Sequence, residues 1–139
     1  MDRISPETRS RIMAAVGSKD TGPERAVRTL VFALGYRFRL QRKDLPGTPD
    51  LVFPGRKKII FVNGCFWHFH GHCSAFRAPK SRVEFWEGKL IKNRLRDRHN
   101  RKALRRLGWA VLVIWECEIK DLAALQRRIV EFLDSSQSR

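Results

Sequence analysis

Residues 65–73 read Cys-Phe-Trp-His-Phe-His-Gly-His-Cys, which places two thiols and three imidazoles within nine positions. A third cysteine, Cys117, stands between Glu116 and Glu118. Thiolate and imidazole at this density suit a borderline-soft ion such as Zn²⁺, whose closed structural sites take about four ligands. Cys65, Cys73 and Cys117 supply three of them, and His70 or His72 the fourth. His72 abuts Cys73, and adjacent residues rarely aim at one ion without backbone strain, so His70 is the preferred ligand. The competing reading makes the cysteines small core residues and the histidines solvated, which the local crowding of Cys and His disfavours. Phe66 and Trp67 are not ligands, and two consecutive bulky aromatics in a polar loop need something flat to touch. His68 is left over from the zinc set. Its meaning depends on an acid facing it.

Three acids are candidates. Asp50 follows Pro49 ahead of the apolar run Leu51-Val52-Phe53. A carboxylate at a turn before a buried strand can hold a hard cation such as Mg²⁺, although taken alone it reads as an ordinary turn aspartate. Asp97 is the single acid in the segment Lys89 to Arg106, which carries nine Lys or Arg. It lies seven residues from both Leu90 and Leu104 and so shares their side of a helix; its plain partner there is Arg94 or Arg101. Glu24 has a structural task ready, since Thr21-Gly22-Pro23-Glu24 forms a capping-box pattern.

The elements that must position these residues follow from periodicity and punctuation. Ser5-Pro6-Glu7 starts a basic N-terminal helix with Ile12, Met13 and Val16 on its apolar side, ended by Gly17. Val27, Leu30, Val31 and Leu34 recur at helical spacing up to Gly35. Residues 36–41 alternate apolar and polar and read as a strand, Leu51-Val52-Phe53 as a short one, and Ile59 to Val62 as a central one. Pro46-Gly47-Thr48-Pro49 and Pro54-Gly55 are turns. A long helix runs from Val83 to Leu107 and stops at Gly108; Trp109 to Trp115 is a second central strand; Leu122 to Leu133 is an amphipathic helix, and residues 134–139 form a frayed tail. This order specifies an α/β chain with a mixed central sheet flanked by helices on both faces. We expect a single domain over residues 1–139, with residues 1–20 as a basic arm and helix.

Composition narrows the partner. The chain has 139 residues, with 29 Lys and Arg against 14 Asp and Glu, a net charge of +15. Such a field attracts polyanions, nucleic acid above all. No run of apolar residues is long enough to span a bilayer, and the N-terminus is polar from the start, which argues for the cytoplasm and against a membrane partner. Thiols stay reduced there, so metal ligation is the better use for three cysteines.

Five motifs in order carry a resemblance: Leu45 to Asp50 (LPGTPD), Ile60 to His68 (IFVNGCFWH), Glu84-Phe85-Trp86, Asn93 to Arg98 (NRLRDR), and Gly108-Trp109 to Cys117. Together they resemble the very-short-patch repair endonucleases, within the wider PD-(D/E)xK nuclease group, from about Ser5 to Phe132. The resemblance implies a restriction-endonuclease-like core with a structural zinc site. It implies Mg²⁺-dependent nicking of one DNA strand 5′ to the thymine of a T:G mismatch left by deamination of 5-methylcytosine. The partner is mismatched duplex DNA, with other mismatch-repair proteins as further partners and a monomer acting at the bacterial nucleoid. Asp50 takes the place of the Mg²⁺-binding aspartate, and Val62 the place whose backbone carbonyl helps hold that metal. His68 resembles the catalytic histidine, Asp97 the acid acting with it through water, and Glu24 an acid near the active site. Cys65, His70, Cys73 and Cys117 match the zinc ligands; Phe66, Trp67 and Trp86 match aromatics that wedge into DNA. The E-x-K of the larger group is absent, the strand reading Phe61-Val62-Asn63, as in the repair subgroup. Phe69 is bulkier than the residue expected there. Two other readings stand beside this one: a non-catalytic zinc-containing DNA-binding module, and a restriction-type enzyme cutting both strands.

One Zn²⁺ per chain is expected from the Cys/His set. Binding energy of a structural zinc is folding energy, so Cys65→Ala or Cys117→Ala should lower stability and solubility. Elemental analysis of the purified protein is the check, and a metal content near zero would remove the zinc assignment.

Overall fold

The computed structural model describes residues 4–16, 22–40, 42–64 and 83–135, with the side chains of 13–16 and 83–87 outside the description. Helix α1 (Pro6–Val16) starts as the sequence predicts. Ser5 Oγ accepts the Thr8 N–H at 3.1 Å, satisfying one of the orphan donors of the first turn, and its carbonyl accepts the first intrahelical bond from the Arg9 N–H at 2.9 Å. Thr21 and Gly17 lie outside the described residues. Helix α2 (Gly22–Ala33) buries Ala26, Val27, Leu30 and Val31. It stops because Gly35 adopts φ +98°, letting the Tyr36 N–H reach back to the Val31 carbonyl at 3.3 Å and the Gly35 N–H to that of Phe32 at 3.0 Å.

Four strands follow: β1 (Arg39–Leu40), β2 (Leu51–Phe53), β3 (Lys58–Asn63) and β4 (Ala110–Trp115), with α3 (Val83–Arg106) before β4 and α4 (Leu122–Asp134) after it. They form one sheet in the order β1-β2-β3-β4. The first two pairings are antiparallel and β3–β4 is parallel, so the sheet is mixed as expected. The strand expected over residues 36–41 shrinks to Arg39–Leu40. Its partner β2 is only three residues long, closed off by Pro54, and pairs Leu51 and Val52 alone with β1. Tyr36 instead tucks under the sheet, buried, its hydroxyl donating to Asp134 at 2.9 Å. Gln41 lies outside the described residues, as do residues 136–139 of the expected tail.

Alternation along β3 sets the layers, since successive side chains point to opposite faces. Ile60 and Val62 join Val27, Leu30 and Val31 of α2 and Ile129 and Leu133 of α4 on one face. Ile59 and Phe61 join Val52, Trp109 and Leu104 of α3 on the other. No helix among the described residues is long and apolar enough to cross a membrane.

One polar group interrupts the first face. Lys58 is 2% exposed, and its ammonium donates to the carbonyls of Phe132, Leu133 (3.2 Å) and Ser135 (2.6 Å) and to Ser135 Oγ (3.1 Å). It caps the C-terminus of α4, where carbonyls lack intrahelical partners and a cation is favoured. Burial pushes the Lys58 ammonium down from the usual lysine range, with nearby Arg56 adding to the effect and Asp134 opposing it. Lys58→Met should cost about 2 kcal/mol by leaving these buried acceptors unmatched. Urea denaturation is the check; an unchanged midpoint would mean that water replaces the ammonium without loss.

Candidate active site

The site begins where a ladder stops. β2 and β3 pair as far as Leu51 and Ile60. Pro49, just before, has no N–H to extend the pairing. The next β3 donor on that edge is the Val62 N–H, and Asp50 Oδ2 accepts it at 2.6 Å. The carboxylate therefore takes over from the strand, which fixes its position against the sheet. In an extended strand a residue's N–H and C=O face the same edge, so the Val62 carbonyl lies on the side that carries Asp50.

Asp50, Val62 and Asn63 form one wall of a cleft of about 160 Å³. Asp97, Asn100 and Arg101 form another; spaced i, i+3, i+4, they occupy one face of α3. Glu24, in the first turn of α2, adds a third carboxylate, and the tip of the 42–50 loop, Gly47 and Thr48, closes the rim. Glu24, Asp50, Val62 and Asp97, from four separate stretches of sequence, thus meet in one cleft. Burial pushes the Arg101 guanidinium down from the usual arginine range; Asp97 opposes this and Arg105, Arg98 and Arg94 reinforce it.

Among the described residues, no three His, Cys, Asp or Glu side chains group closely enough to cage a metal. An open Mg²⁺ site needs no such cage: one carboxylate, a carbonyl, waters and substrate phosphate suffice. The hard oxygens of Asp50 and of the Val62 backbone fit that donor set. Cys117 lies half-buried in the 3₁₀ turn Glu116–Lys120. Cys65, His70, Cys73, His72, His68, Phe66 and Trp67 lie outside the described residues, and so does the side chain of Trp86.

The sequence did not single out Asn100, and it offered Gly47 and Thr48 as turn residues within the Leu45 to Asp50 motif, with no role of their own at the site. Gly47 has φ +80°, and a Cβ there would sit 3.1 Å from Asn100 Nδ2 and 3.2 Å from Phe61 Cε1. Thr48 is also left-handed, at φ +46°, which is unusual for a β-branched residue. The Pro46-Gly47 pair signalled a turn. Nothing local signalled that this turn would rest on α3.

A family model described as DNA mismatch endonuclease Vsr matches residues 1–75. The Type II nicking enzyme V.XorIIP of Xanthomonas oryzae pv. oryzae is 54% identical over 135 residues, 97% of this chain and 98% of that protein. The DNA mismatch endonuclease Vsr of Escherichia coli is 44% identical over 113 residues, 81% of this chain and 72% of that protein. The Type II nicking enzyme V.NmeAIP of Neisseria meningitidis is 39% identical over 128 residues, 92% of this chain and 91% of that protein.

Gly47→Ala should destabilise the fold by about 1–2 kcal/mol, the cost of a left-handed residue with a Cβ, and should also push the loop off α3. Thermal unfolding measures the first effect. A variant as stable as the parent would show that the 42–50 loop relaxes freely.

Proposed function

Since the chain belongs to the Vsr family of DNA mismatch endonucleases, we propose that it nicks one strand of duplex DNA 5′ to the thymine of a T:G mismatch, the product of 5-methylcytosine deamination, using Mg²⁺. The observation that carries this reading is the meeting of Asp50, Val62, Asp97 and Glu24 in one cleft. A regulator that only binds DNA has no need of an aspartate splinted to a strand edge there. Relatives named as nicking enzymes favour cutting one strand over restriction-type cutting of both.

Asp50 and the Val62 carbonyl would hold Mg²⁺, which when bound would lower the pKa of a water and shield the charge developing on phosphorus and the leaving oxygen. The Val62 N–H keeps the Asp50 carboxylate in place for this task. His68 accepts a proton from the attacking water at an imidazole nitrogen, and Asp97 acts with it through a second water. Glu24 adds negative charge that favours the cation. Cys65, His70, Cys73 and Cys117 hold a structural Zn²⁺ that braces the loop bearing His68. In support, Asn63 and Trp115 are register partners in β3 and β4, and Cys65 and Cys117 each follow two residues later. Phe66, Trp67 and Trp86 wedge into the stack, exploiting the poor stacking of a T:G wobble pair.

Affinity has a separate source. Eight of the nine Lys and Arg between Lys89 and Arg106 are exposed on α3. Such charges neutralise phosphates without reading bases. The protein acts as a monomer in the cytoplasm, at the nucleoid.

An end-labelled duplex with a single T:G pair, incubated with Mg²⁺ beside its T:A control, tests the reading. The T:G duplex should be nicked once, 5′ to the mismatched thymine. Asp50→Ala and His68→Ala should lower the rate by at least about 100-fold while leaving duplex binding largely intact. Near-parental cleavage by Asp50→Ala would show the metal assignment to be wrong. Trp67→Ala and Trp86→Ala should reduce the ratio of T:G to matched binding; an unchanged ratio in both would remove the wedge.

A further inference from the structure

We propose that Arg101 is the residue of the cleft that grips the phosphate to be cut; the proposal rests on the phosphodiester hydrolysis argued above. Of the cations on α3 between Lys89 and Arg106, Arg101 is the one that is not exposed, and it lines the cleft with Asp50 and Asp97. Its surroundings act through burial and through charges at a distance, with no side-chain hydrogen bond among the described residues. A guanidinium carries five N–H donors in a fixed fork. Holding it half out of water without acceptors is unfavourable, and the arrangement suits a ligand that brings the acceptors. Carboxylate neighbours do not fill that role: Asp50 is engaged by the Val62 N–H, and Asp97 reaches Arg101 as a charge. A phosphodiester supplies two anionic oxygens that match the fork, a geometry Arg serves better than Lys.

The same placement has a consequence for the metal. Among the described residues, Glu24, Asp50 and Asp97 leave the cleft net negative against the one guanidinium of Arg101, which draws in a divalent cation. Arg101 repels that cation until a phosphate offsets its charge. Metal and phosphate should therefore bind better together than apart, and Arg101 is what couples them.

Arg101→Gln and Arg101→Lys test this, glutamine being nearly as good a helix former as arginine. Three quantities are needed: the single-turnover nicking rate on T:G duplex at saturating Mg²⁺, the Mg²⁺ affinity of the DNA-free protein by calorimetry, and Tm. Arg101→Gln should slow nicking about 100-fold and tighten Mg²⁺ binding about fourfold. Tm and affinity for matched duplex should stay close to the parent, since the other α3 cations remain. Arg101→Lys should recover part of the rate and restore the weaker Mg²⁺ binding. A purely structural Arg101 would instead lower Tm and leave Mg²⁺ affinity unmoved. A nicking rate within about threefold of the parent in Arg101→Gln, well short of a lost charge-stabilising donor, would overturn the proposal whatever the metal does. If the parent protein failed to nick T:G duplex at all, the function proposed above would fall. Unchanged Mg²⁺ affinity in Arg101→Gln would then overturn this proposal too, whereas tighter binding would still support the placement of Arg101 beside the metal.

Discussion

The hydrogen bond from the Val62 N–H to Asp50 Oδ2 is the contact on which the rest of the cleft depends. It exists because β2 is short. Pro49 stops the ladder on one side and Pro54 on the other, so of the four residues between them Leu51, Val52 and Phe53 are buried strand and Asp50 is left at the strand's start. The donor left over on β3 would be an unsatisfied backbone group. A carboxylate fills that vacancy and is held by the sheet rather than by a loop. Because β3 also pairs in parallel with β4, up to Asn63 against Trp115, both central strands end at the same edge. The cleft opens there, with α2 and α3 closing its sides.

Helix α3 serves two needs with one sequence. Its inner stripe, Leu90 and Leu104, is buried, and Leu104 packs with Val52, Ile59 and Trp109. Asp97, Asn100 and Arg101 lie where that stripe meets the cleft. The remaining basic side chains face water, where a charged surface is stable and where a polyanion can reach it. In the function proposed above, affinity for DNA and chemistry on DNA belong to different faces of the same element. The Gly47 tip sits close against both α3 and β3, where a Cβ would fall 3.1 Å from Asn100 Nδ2 and 3.2 Å from Phe61 Cε1.

Helices and central strands were legible because their signals are local. Periodicity marked α2 and α4, and Gly35 and Gly108, both at positive φ, marked the stops of α2 and α3. Asp50 was legible through its motif, but its bond to Val62 was not, since that depends on the β2–β3 register. Arg101 was visible only as an intrahelical partner for Asp97; its place in the cleft follows from α3 packing on the sheet. The strand expected over residues 36–41 failed for a non-local reason, the shortness of its partner. Glu24 read from its own pattern as a helix cap and only through the resemblance as an acid near the active site; it lines the cleft. The Cys/His run, the strongest signal in the sequence, lies outside the described residues, so the proposed zinc site rests on residue types and on the placement of Cys117.

The central claim is that Asp50, splinted to β3, holds the metal of the cleft together with the Val62 carbonyl. Crystals of the protein soaked in Mn²⁺, a hard divalent cation that can replace Mg²⁺ and scatters anomalously, test it most directly. The account predicts an anomalous peak within ligand distance of an Asp50 carboxylate oxygen and the Val62 carbonyl, and its loss in Asp50→Asn. A peak bound by Glu24 and Asp97 instead, or one that survives Asp50→Asn, would contradict it.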